Sequence, residues 1–247
     1  MTDAAARELR WTPERVARLW DYYSGNRAYD AQYFSRHSGA YVLEAIERQL
    51  PLTGRHVVDF GCGPGFMLEH LLARGIRCSG LDFSPASVDA ARARFGGHAL
   101  FGGATALKGL PLPLPDDGID VLLLVEVIEH ILEDDFAPTL RELARVVRPG
   151  GHLVVTVPHA EDLEASKTLC PDCGAVFHRW QHQRSITAPA LDAAMRATGL
   201  ATLVCTPTMF GPASVLDPLR RLRRRLRGTP EPVPPHLLYI GRKAGAA

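Results

Sequence analysis

The stretch Val57-Val58-Asp59-Phe60-Gly61-Cys62-Gly63-Pro64-Gly65 decides the fold of this chain. Its apolar start predicts a buried strand, and its three glycines predict a sharp turn that brings the backbone close to a ligand. A helical pattern from Met67 to Arg74 follows, and Gly75 ends it. The stretch is therefore a strand, turn and helix unit, which is typical of a parallel sheet.

Further units of the same kind follow along the chain. Apolar runs predict strands, and cap residues such as Ser84 before Pro85 predict where helices begin. The predicted strands after the first are 76–81, a weak one near 98–101, 119–125, 152–157, 200–205 and 237–240. This alternation predicts a parallel sheet with helices on both faces.

Two aspartates indicate what the turn binds. Asp82 ends the second strand, seventeen residues after Gly65, where a carboxylate can accept hydrogen bonds from both hydroxyls of a ribose. Asp59 stands two positions before the first glycine and would repel a pyrophosphate but attract an ammonium group. The spacing Gly-x-Gly-x-Gly also differs from the dinucleotide pattern. These features favour a nucleoside that carries an ammonium and a sulfonium.

Five pieces in order resemble the class I S-adenosylmethionine-dependent methyltransferases, in the branch similar to the quinone-biosynthesis enzymes. The pieces are 59–65, 81–85, 112–120, 125–130 and 148–153. The resemblance implies an α/β fold, a three-layer Rossmann-like sandwich with a mostly parallel seven-stranded sheet. It also implies methyl transfer from S-adenosylmethionine. An NAD-dependent oxidoreductase and a non-catalytic, zinc-bearing nucleoside-binding adaptor are the alternatives.

The resemblance also assigns residues to the cofactor. It implies that the turn and Asp59 surround the methionine part, that Asp82 holds the ribose hydroxyls and that Phe83 packs on the adenine. Many relatives have an aspartate after the third strand, which this chain lacks, so we expect backbone groups near Ala104 to recognise the base. Cys62 is more typical of packing than of a nucleophile. The predicted cofactor-binding residues are Asp59, Gly61, Cys62, Gly63, Gly65, Asp82, Phe83, Ala104 and Glu126.

Methyl transfer is an in-line displacement that demands alignment, exclusion of water and, for a hydroxyl acceptor, removal of a proton. His130 and His159 follow the fourth and fifth predicted core strands and are the candidate catalytic bases, although His130 could merely cap a turn. Tyrosines of the N-terminal segment could form a substrate lid or pack on the core. We expect a small-molecule acceptor, with oxygen favoured over nitrogen or carbon.

Residues 161–186 interrupt the strand and helix rhythm. Cys170, Cys173, His178 and His182 give the spacing C-x2-C-x4-H-x3-H, which suits a tetrahedral structural zinc site. A redox pair, histidines that belong to the active site and a metal-free loop are the alternatives. If zinc binds, we expect it to shape the acceptor pocket without touching the methyl group.

The predicted organisation is one structural domain in four parts. These are a helical cap (1–50), a cofactor-binding core (51–160), the Cys/His insertion (161–186) and the rest of the core with a basic helix at 218–227 (187–247). The Arg-rich helix could contact anionic lipid or an acidic ligand, or be merely solvated.

Composition limits the partners. Twenty-eight Lys and Arg against 27 Asp and Glu give a net charge of +1, so a nucleic-acid partner is not expected. The longest strongly apolar run, Val121 to Val125, is far shorter than the roughly 20 residues of a membrane-spanning helix. With no secretory signal in Met1 to Arg18, we expect a cytoplasmic location.

Overall fold

The computed structural model describes residues 7–212, 223, 226–227 and 229–245. The helices of this part of the chain are α1 (Pro13–Ser24), α2 (Phe34–Glu47), α3 (Phe66–Ala73), α4 (Pro85–Phe95), α5 (Glu133–Val146) and α6 (Ala188–Arg196). The strands are β1 (Arg7–Glu8), β2 (His56–Phe60), β3 (Arg77–Asp82), β4 (Phe101–Ala106), β5 (Ile119–Val125), β6 (Val147–Pro158), β7 (Lys167–Leu169), β8 (Ala175–His178), β9 (Leu200–Thr208) and β10 (His236–Lys243).

Seven of the described strands form the main sheet, in the order β4-β3-β2-β5-β6-β10-β9. The first five are parallel, whereas β10 runs antiparallel to both of its neighbours. The predicted three-layer Rossmann-like sandwich with a mostly parallel seven-stranded sheet is confirmed. Its order reverses between β2 and β5, and ligands of such sheets bind beyond the carboxyl ends of the strands at such a point.

Both faces of the central strands are buried, because side chains alternate along a strand and helices cover each face. Val57 packs in a core cluster with α3 leucines such as Leu68. Val58, next along β2, packs in the opposite cluster with α5 leucines such as Leu140. The sequences of these strands are therefore continuous apolar runs, and such runs are the signal from which the strands were predicted.

Local cap chemistry fixes two helix starts. The Thr12 hydroxyl accepts the Arg15 N–H at 3.4 Å before α1, and the Ser84 hydroxyl accepts the Ser87 N–H at 3.2 Å before α4. Proline follows each cap residue, and the predicted helix start at Ser84 and Pro85 is confirmed. The third strand was predicted near residues 98–101 but occupies Phe101–Ala106. It lies at the sheet edge and contains two glycines, so it lacks the apolar run that marks a central strand.

The insertion has a sheet of its own. β7 and β8 form an antiparallel hairpin, and β1 adds to β8 in parallel, with Glu8 opposite Val176. The Leu9 N–H extends this pairing to the Val176 carbonyl at 2.8 Å. The beginning of the chain thus pairs with the predicted insertion; the four-part division stays a prediction.

Within the described ranges, no helix combines the length and the apolar character needed to cross a bilayer. The predicted basic helix at 218–227 lies largely outside the residues that the structure describes, so it stays a prediction.

Candidate active site

The glycine turn lies between the carboxyl ends of β2 and β3. These strands pair in parallel with Phe60 opposite Leu81, so Asp59 near the end of β2 and Asp82 at the end of β3 share one sheet edge. The N–H groups of Gly61 and Cys62 both donate to the Leu81 carbonyl, at 2.7 and 3.0 Å. The turn is therefore tied directly to the strand that carries Asp82.

Backbone amides hold the Asp82 carboxylate. The Gly63 N–H donates to one oxygen at 2.8 Å, and the Ser84 N–H donates to the other at 2.7 Å. Burial raises the pKa of Asp82, and the hydrogen bonds from these amides oppose that rise. Each carboxylate oxygen has two lone pairs, so the carboxylate can accept further hydrogen bonds from a ligand.

Asp59 is 2% exposed, and burial together with the neighbouring Asp82 raises its pKa well above the usual range. Two carboxyl groups share a site that is poor in water. A cationic ligand group there would stabilise their ionised forms, whereas a pyrophosphate would be repelled. The electrostatics therefore favour the predicted cationic nucleoside.

Close packing explains two of the three glycines. All three have a left-handed backbone, with φ of +76° at Gly61, +50° at Gly63 and +93° at Gly65. A Cβ at Gly61 would lie 2.6 Å from the Val127 side chain, and one at Gly65 would lie 2.7 Å from the Phe95 ring. A side chain at Gly61 would push the turn away from the loop after β5, and one at Gly65 would push it away from α4.

Cys62, Phe83 and Ala104 have different surroundings. Cys62 is buried against Gly80, and burial raises the pKa of its thiol well above normal, which supports packing over nucleophilic chemistry. Phe83 is 51% exposed, with its ring 6.1 Å from that of Phe60, so one face is open to a ligand. The Ala104 carbonyl accepts a hydrogen bond from the Arg92 guanidinium at 2.9 Å.

Glu126 directly follows β5 and has a left-handed backbone, with φ of +54°. Its N–H donates to the Thr156 carbonyl, and the Thr156 hydroxyl donates to Oε1 at 2.9 Å. His236 Nδ1 lies 3.1 Å from Oε2. Side chains of β6 and β10 therefore fix this carboxylate at the edge of the sheet.

The two candidate bases lie in different surroundings. His130 ends a short 3-10 turn after β5, and its ring packs 5.0 Å from Trp20. Burial lowers the pKa of His130 to about 3, so the ring is neutral. His159 follows β6, where its N–H donates to the Pro235 carbonyl and its Nδ1 is buried without a hydrogen-bond partner among the described residues.

The N-terminal helices cover the turn. The Ser24 hydroxyl lies 2.6 Å from that of Ser87, and the Ser84 hydroxyl donates to Asp21 at 2.7 Å. The Tyr33 ring lies 3.4 Å from the position of a Gly63 Cβ, and burial raises the pKa of this phenol to about 12. The cap is therefore joined to the start of α4 by hydrogen bonds, and the Tyr33 ring packs against the turn.

A buried glutamine joins the cap to the insertion. Gln181 is fully buried; its Oε1 accepts from the Trp20 indole N–H at 3.1 Å, and its Nε2 donates to the His130 carbonyl at 2.7 Å. The Trp180 ring lies 5.6 Å from Tyr23. The insertion, the cap and the loop after β5 therefore form one wall.

The four predicted zinc ligands form two separate pairs, which corrects the predicted knuckle. The cysteines lie at the turn of the β7–β8 hairpin, where the Cys170 N–H bonds to the Ala175 carbonyl. His178 lies at the other end, opposite Lys167. Three residues of strand separate the two ends by about 10 Å. His178 instead stacks on His182 at 4.4 Å, and Glu161 contacts both rings.

The sequence analysis did not single out Ser24, Glu129, Glu161 or Gln181 as site residues. Glu161 precedes the histidines by seventeen residues or more, and Gln181 lies between them without a recognisable pattern. The only available signal was the concentration of Glu, Gln and His between 161 and 183. Which of these side chains meet depends on the fold.

Comparison with known proteins gives a family model. Residues 58–155 match the model described as a methyltransferase domain. A Mycolicibacterium smegmatis protein named as a probable S-adenosylmethionine-dependent methyltransferase is 35% identical over 127 residues, which cover 51% of this chain and 46% of the relative. A ubiquinone biosynthesis O-methyltransferase from Sinorhizobium medicae is 28% identical over 66% of this chain and 67% of that protein. The chain thus spans about half the length of the first of these relatives.

A solved structure shows the same fold. The S-adenosylmethionine-dependent methyltransferase from Mesorhizobium loti superposes with a TM-score of 0.59, at 21% identity, over 83% of this chain and 99% of that chain. The chain therefore has the Rossmann-like fold of these methyltransferases, and its residues 58–155 match the methyltransferase-domain model.

Proposed function

We propose that this chain, with its methyltransferase domain, transfers the methyl group of S-adenosylmethionine to a small-molecule acceptor by in-line displacement. The observation that carries the proposal is the Asp82 carboxylate, which two amides hold beside the glycine turn. The matched family model supports it. The cofactor supplies an electrophilic methyl group on a sulfonium.

The residues of the turn fit this cofactor. Asp82 would accept hydrogen bonds from the ribose hydroxyls, and the open face of Phe83 would pack on the base. Asp59 would face the ammonium of the methionine part, because a buried carboxylate is stabilised by a cation. The turn glycines would let the backbone approach the ligand. The contact of the base with Ala104 stays a prediction.

The acceptor is proposed to be a small molecule methylated on oxygen, with nitrogen and carbon as the alternatives. The similarity to a ubiquinone biosynthesis O-methyltransferase supports this choice. The wall of Trp20, Tyr23 and Trp180 also supports it, because aromatic side chains shape apolar pockets.

His159 is the better candidate for the base that an oxygen acceptor needs. Burial holds the pKa of His130 at about 3, which makes that ring a poor proton acceptor near neutral pH. His159 keeps a buried Nδ1 without a hydrogen-bond partner in the described part of the chain. With an identified acceptor, we expect His159→Gln to lower kcat and leave cofactor affinity unchanged. An unchanged kcat would remove this residue from the reaction.

Calorimetric titration tests the cofactor. We expect S-adenosylhomocysteine to bind and NAD not to bind. Asp82→Asn should weaken the binding about 10- to 100-fold. The substitution replaces a carboxylate oxygen, which accepts a hydrogen bond from a ribose hydroxyl, with an NH2 group, which cannot accept one. Asp89→Asn, on the exposed face of α4, is the matched control and should bind like the parent. NAD binding in place of S-adenosylhomocysteine would favour the oxidoreductase.

Incubation with methyl-labelled cofactor and fractionated cell extract tests the transfer. An enzyme labels a small molecule, and the Asp82→Asn protein labels less of it at limiting cofactor. Cofactor binding without label transfer would favour a non-catalytic adaptor.

Several finer expectations stay predictions. They are the cytoplasmic location, the lack of a nucleic-acid partner and the contact of residues 218–227 with anionic lipid or an acidic ligand. Flotation with vesicles at low and moderate salt tests the last of these. A zinc ion held jointly by the two cysteines and two histidines is no longer proposed, because the hairpin separates them.

A further inference from the structure

A buried carboxylate without a partner lies between the loop after β5 and the insertion. Glu129 is 1% exposed, and neither of its oxygens has a hydrogen-bond partner in the described part of the chain. An ionised carboxylate that is buried without a partner is strongly unfavourable. The site therefore requires a proton or a cation beside this side chain.

Two imidazoles face the same space. His130 Nε2 lies 3.9 Å from Glu129 Oε1, and its Nδ1 is buried without a described hydrogen-bond partner. The His182 ring packs 4.8 Å from the His130 ring. One ligand atom from each of Glu129, His130 and His182 lies within 4.8 Å of the others. A small shift of side chains would bring these atoms to the spacing around one metal ion.

Glu161 determines which nitrogen His182 can offer. Its Oε2 lies 2.5 Å from His182 Nδ1, so Nδ1 carries the proton and donates it. The Nε2 lone pair of His182 then remains for a ligand. A carboxylate that orients a histidine through its other nitrogen is the usual support of a metal-bound imidazole.

We propose that Glu129, His130 and His182 bind one divalent transition-metal ion such as zinc, with Glu161 as the supporting carboxylate. Two neutral imidazoles and one carboxylate form a borderline donor set that suits zinc better than magnesium or calcium. The bound ion would neutralise the buried Glu129 and join the insertion to the loop after β5. The proposal does not depend on methyl transfer.

His178 is not among the proposed ligands. Its Nδ1 accepts the N–H groups of Trp180 and His182, at 3.3 and 3.2 Å, so its proton must sit on Nε2. That nitrogen lies 3.3 Å from Glu161 Oε1. His178 therefore stands beside Glu161 rather than beside the metal.

A cavity adjoins the proposed site at His182. A cavity of about 560 Å³ opens between α5, the start of the chain and the insertion, and His182 lines it. Glu133, Asp134 and Glu164 also line this cavity. Acidic walls raise the local concentration of divalent cations.

The metal content of the full-length chain tests the proposal. After dialysis against zinc, we expect one equivalent of zinc by elemental analysis. Cobalt in its place should show the visible bands of a tetrahedral or five-coordinate ion without thiolate charge-transfer absorption. Absence of bound zinc, or a thiolate band that shows the cysteines as ligands, would overturn the proposal.

Matched variants locate the ion. Glu129→Gln keeps the shape of the side chain and removes its charge, so we expect a folded protein without the zinc. Glu161→Gln should weaken zinc binding about 10- to 100-fold. The double variant Cys170→Ser, Cys173→Ser should keep the full equivalent.

Thermal melting separates a binding defect from misfolding. Added zinc should raise the Tm of the parent and of the double cysteine variant, and leave that of Glu129→Gln unchanged. If Glu129→Gln responds to zinc like the parent, or if the cysteine variant alone loses the response, the ligand assignment is wrong.

Discussion

Gly61 and Gly75 have nearly the same left-handed backbone, with φ of +76° and +69°, but different surroundings. A Cβ at Gly61 would meet Val127 at 2.6 Å, whereas a Cβ at Gly75 would meet nothing within 4 Å. We expect Gly75→Ala to cost about 1–2 kcal/mol of unfolding free energy from the backbone alone. Gly61→Ala should cost about 1–3 kcal/mol more because of overpacking. Denaturant unfolding measures both; equal losses would contradict the packing argument.

His152 predicts a dependence of stability on pH. Burial, with Arg55 and other nearby cations, lowers its pKa to about 4, and Nδ1 accepts from Arg55 at 3.3 Å. Between about pH 4 and 6.5 the unfolded chain therefore binds a proton that the folded chain does not. Stability is thus lost as the pH falls below 6.5. Between pH 7 and 5, the free energy of unfolding of His152→Gln should fall by on the order of 2 kcal/mol less than that of the parent.

The measurement is the free energy of unfolding of both proteins at several pH values. His98→Gln, at an exposed position before β4, is the control for the effect of the substitution itself. A parallel pH profile for His152→Gln and the parent would show that this ring does not titrate as described.

Sequence was informative for residues whose role is local. Asp82 ends β3 and the glycines follow β2, so their meeting depends on one strand, helix and strand unit whose strands pair in parallel. The contacts of His178, by contrast, could not be predicted from the local sequence. Its spacing from the cysteines suits a knuckle, but the hairpin register directs it towards Glu161 and His182.

Elements with local signals were also predictable. Thr12, Ser84 and their following prolines mark the starts of α1 and α4, because a cap acts within one helical turn. β4 was misplaced because edge strands need no apolar run. β1, β7 and β8 are short and partly exposed, so they are stabilised by pairing with one another rather than by a pattern in the sequence.

The contact between α1 and the insertion depends on Gln181. Gln181→Leu would leave the Trp20 indole N–H and the His130 carbonyl without their hydrogen-bond partner. We expect each unpaired group to lower the free energy of unfolding by about 1–3 kcal/mol. Denaturant unfolding should show the loss. The exposed Gln49→Leu is the control and should stay within about 0.5 kcal/mol of the parent.

A double-mutant cycle isolates the indole bond. Trp20→Phe should cost less in the Gln181→Leu background than in the parent, because the hydrogen bond is already absent. Equal costs in both backgrounds would show that Trp20 and Gln181 act independently.

At the scale of the whole molecule, the start of the chain stabilises a segment that lies some 170 residues later in sequence. Removal of residues 1–9 would delete β1, its pairing with β8 and the Glu8–Lys167 ion pair of 2.9 Å. We expect faster amide hydrogen exchange in β7 and β8 and unchanged exchange in β5, the central strand. Uniform acceleration, or none, would contradict this coupling.

β10 lies inside the main sheet, between β6 and β9, although it is the last strand of the described chain. A nascent polypeptide on the ribosome that has emerged only through Gly211 has β9 without its neighbour and β6 with an open edge. Translation must reach Lys243 before either is covered. A message cut short before the codon for His236 would therefore yield a protein with the whole glycine turn and an aggregation-prone sheet.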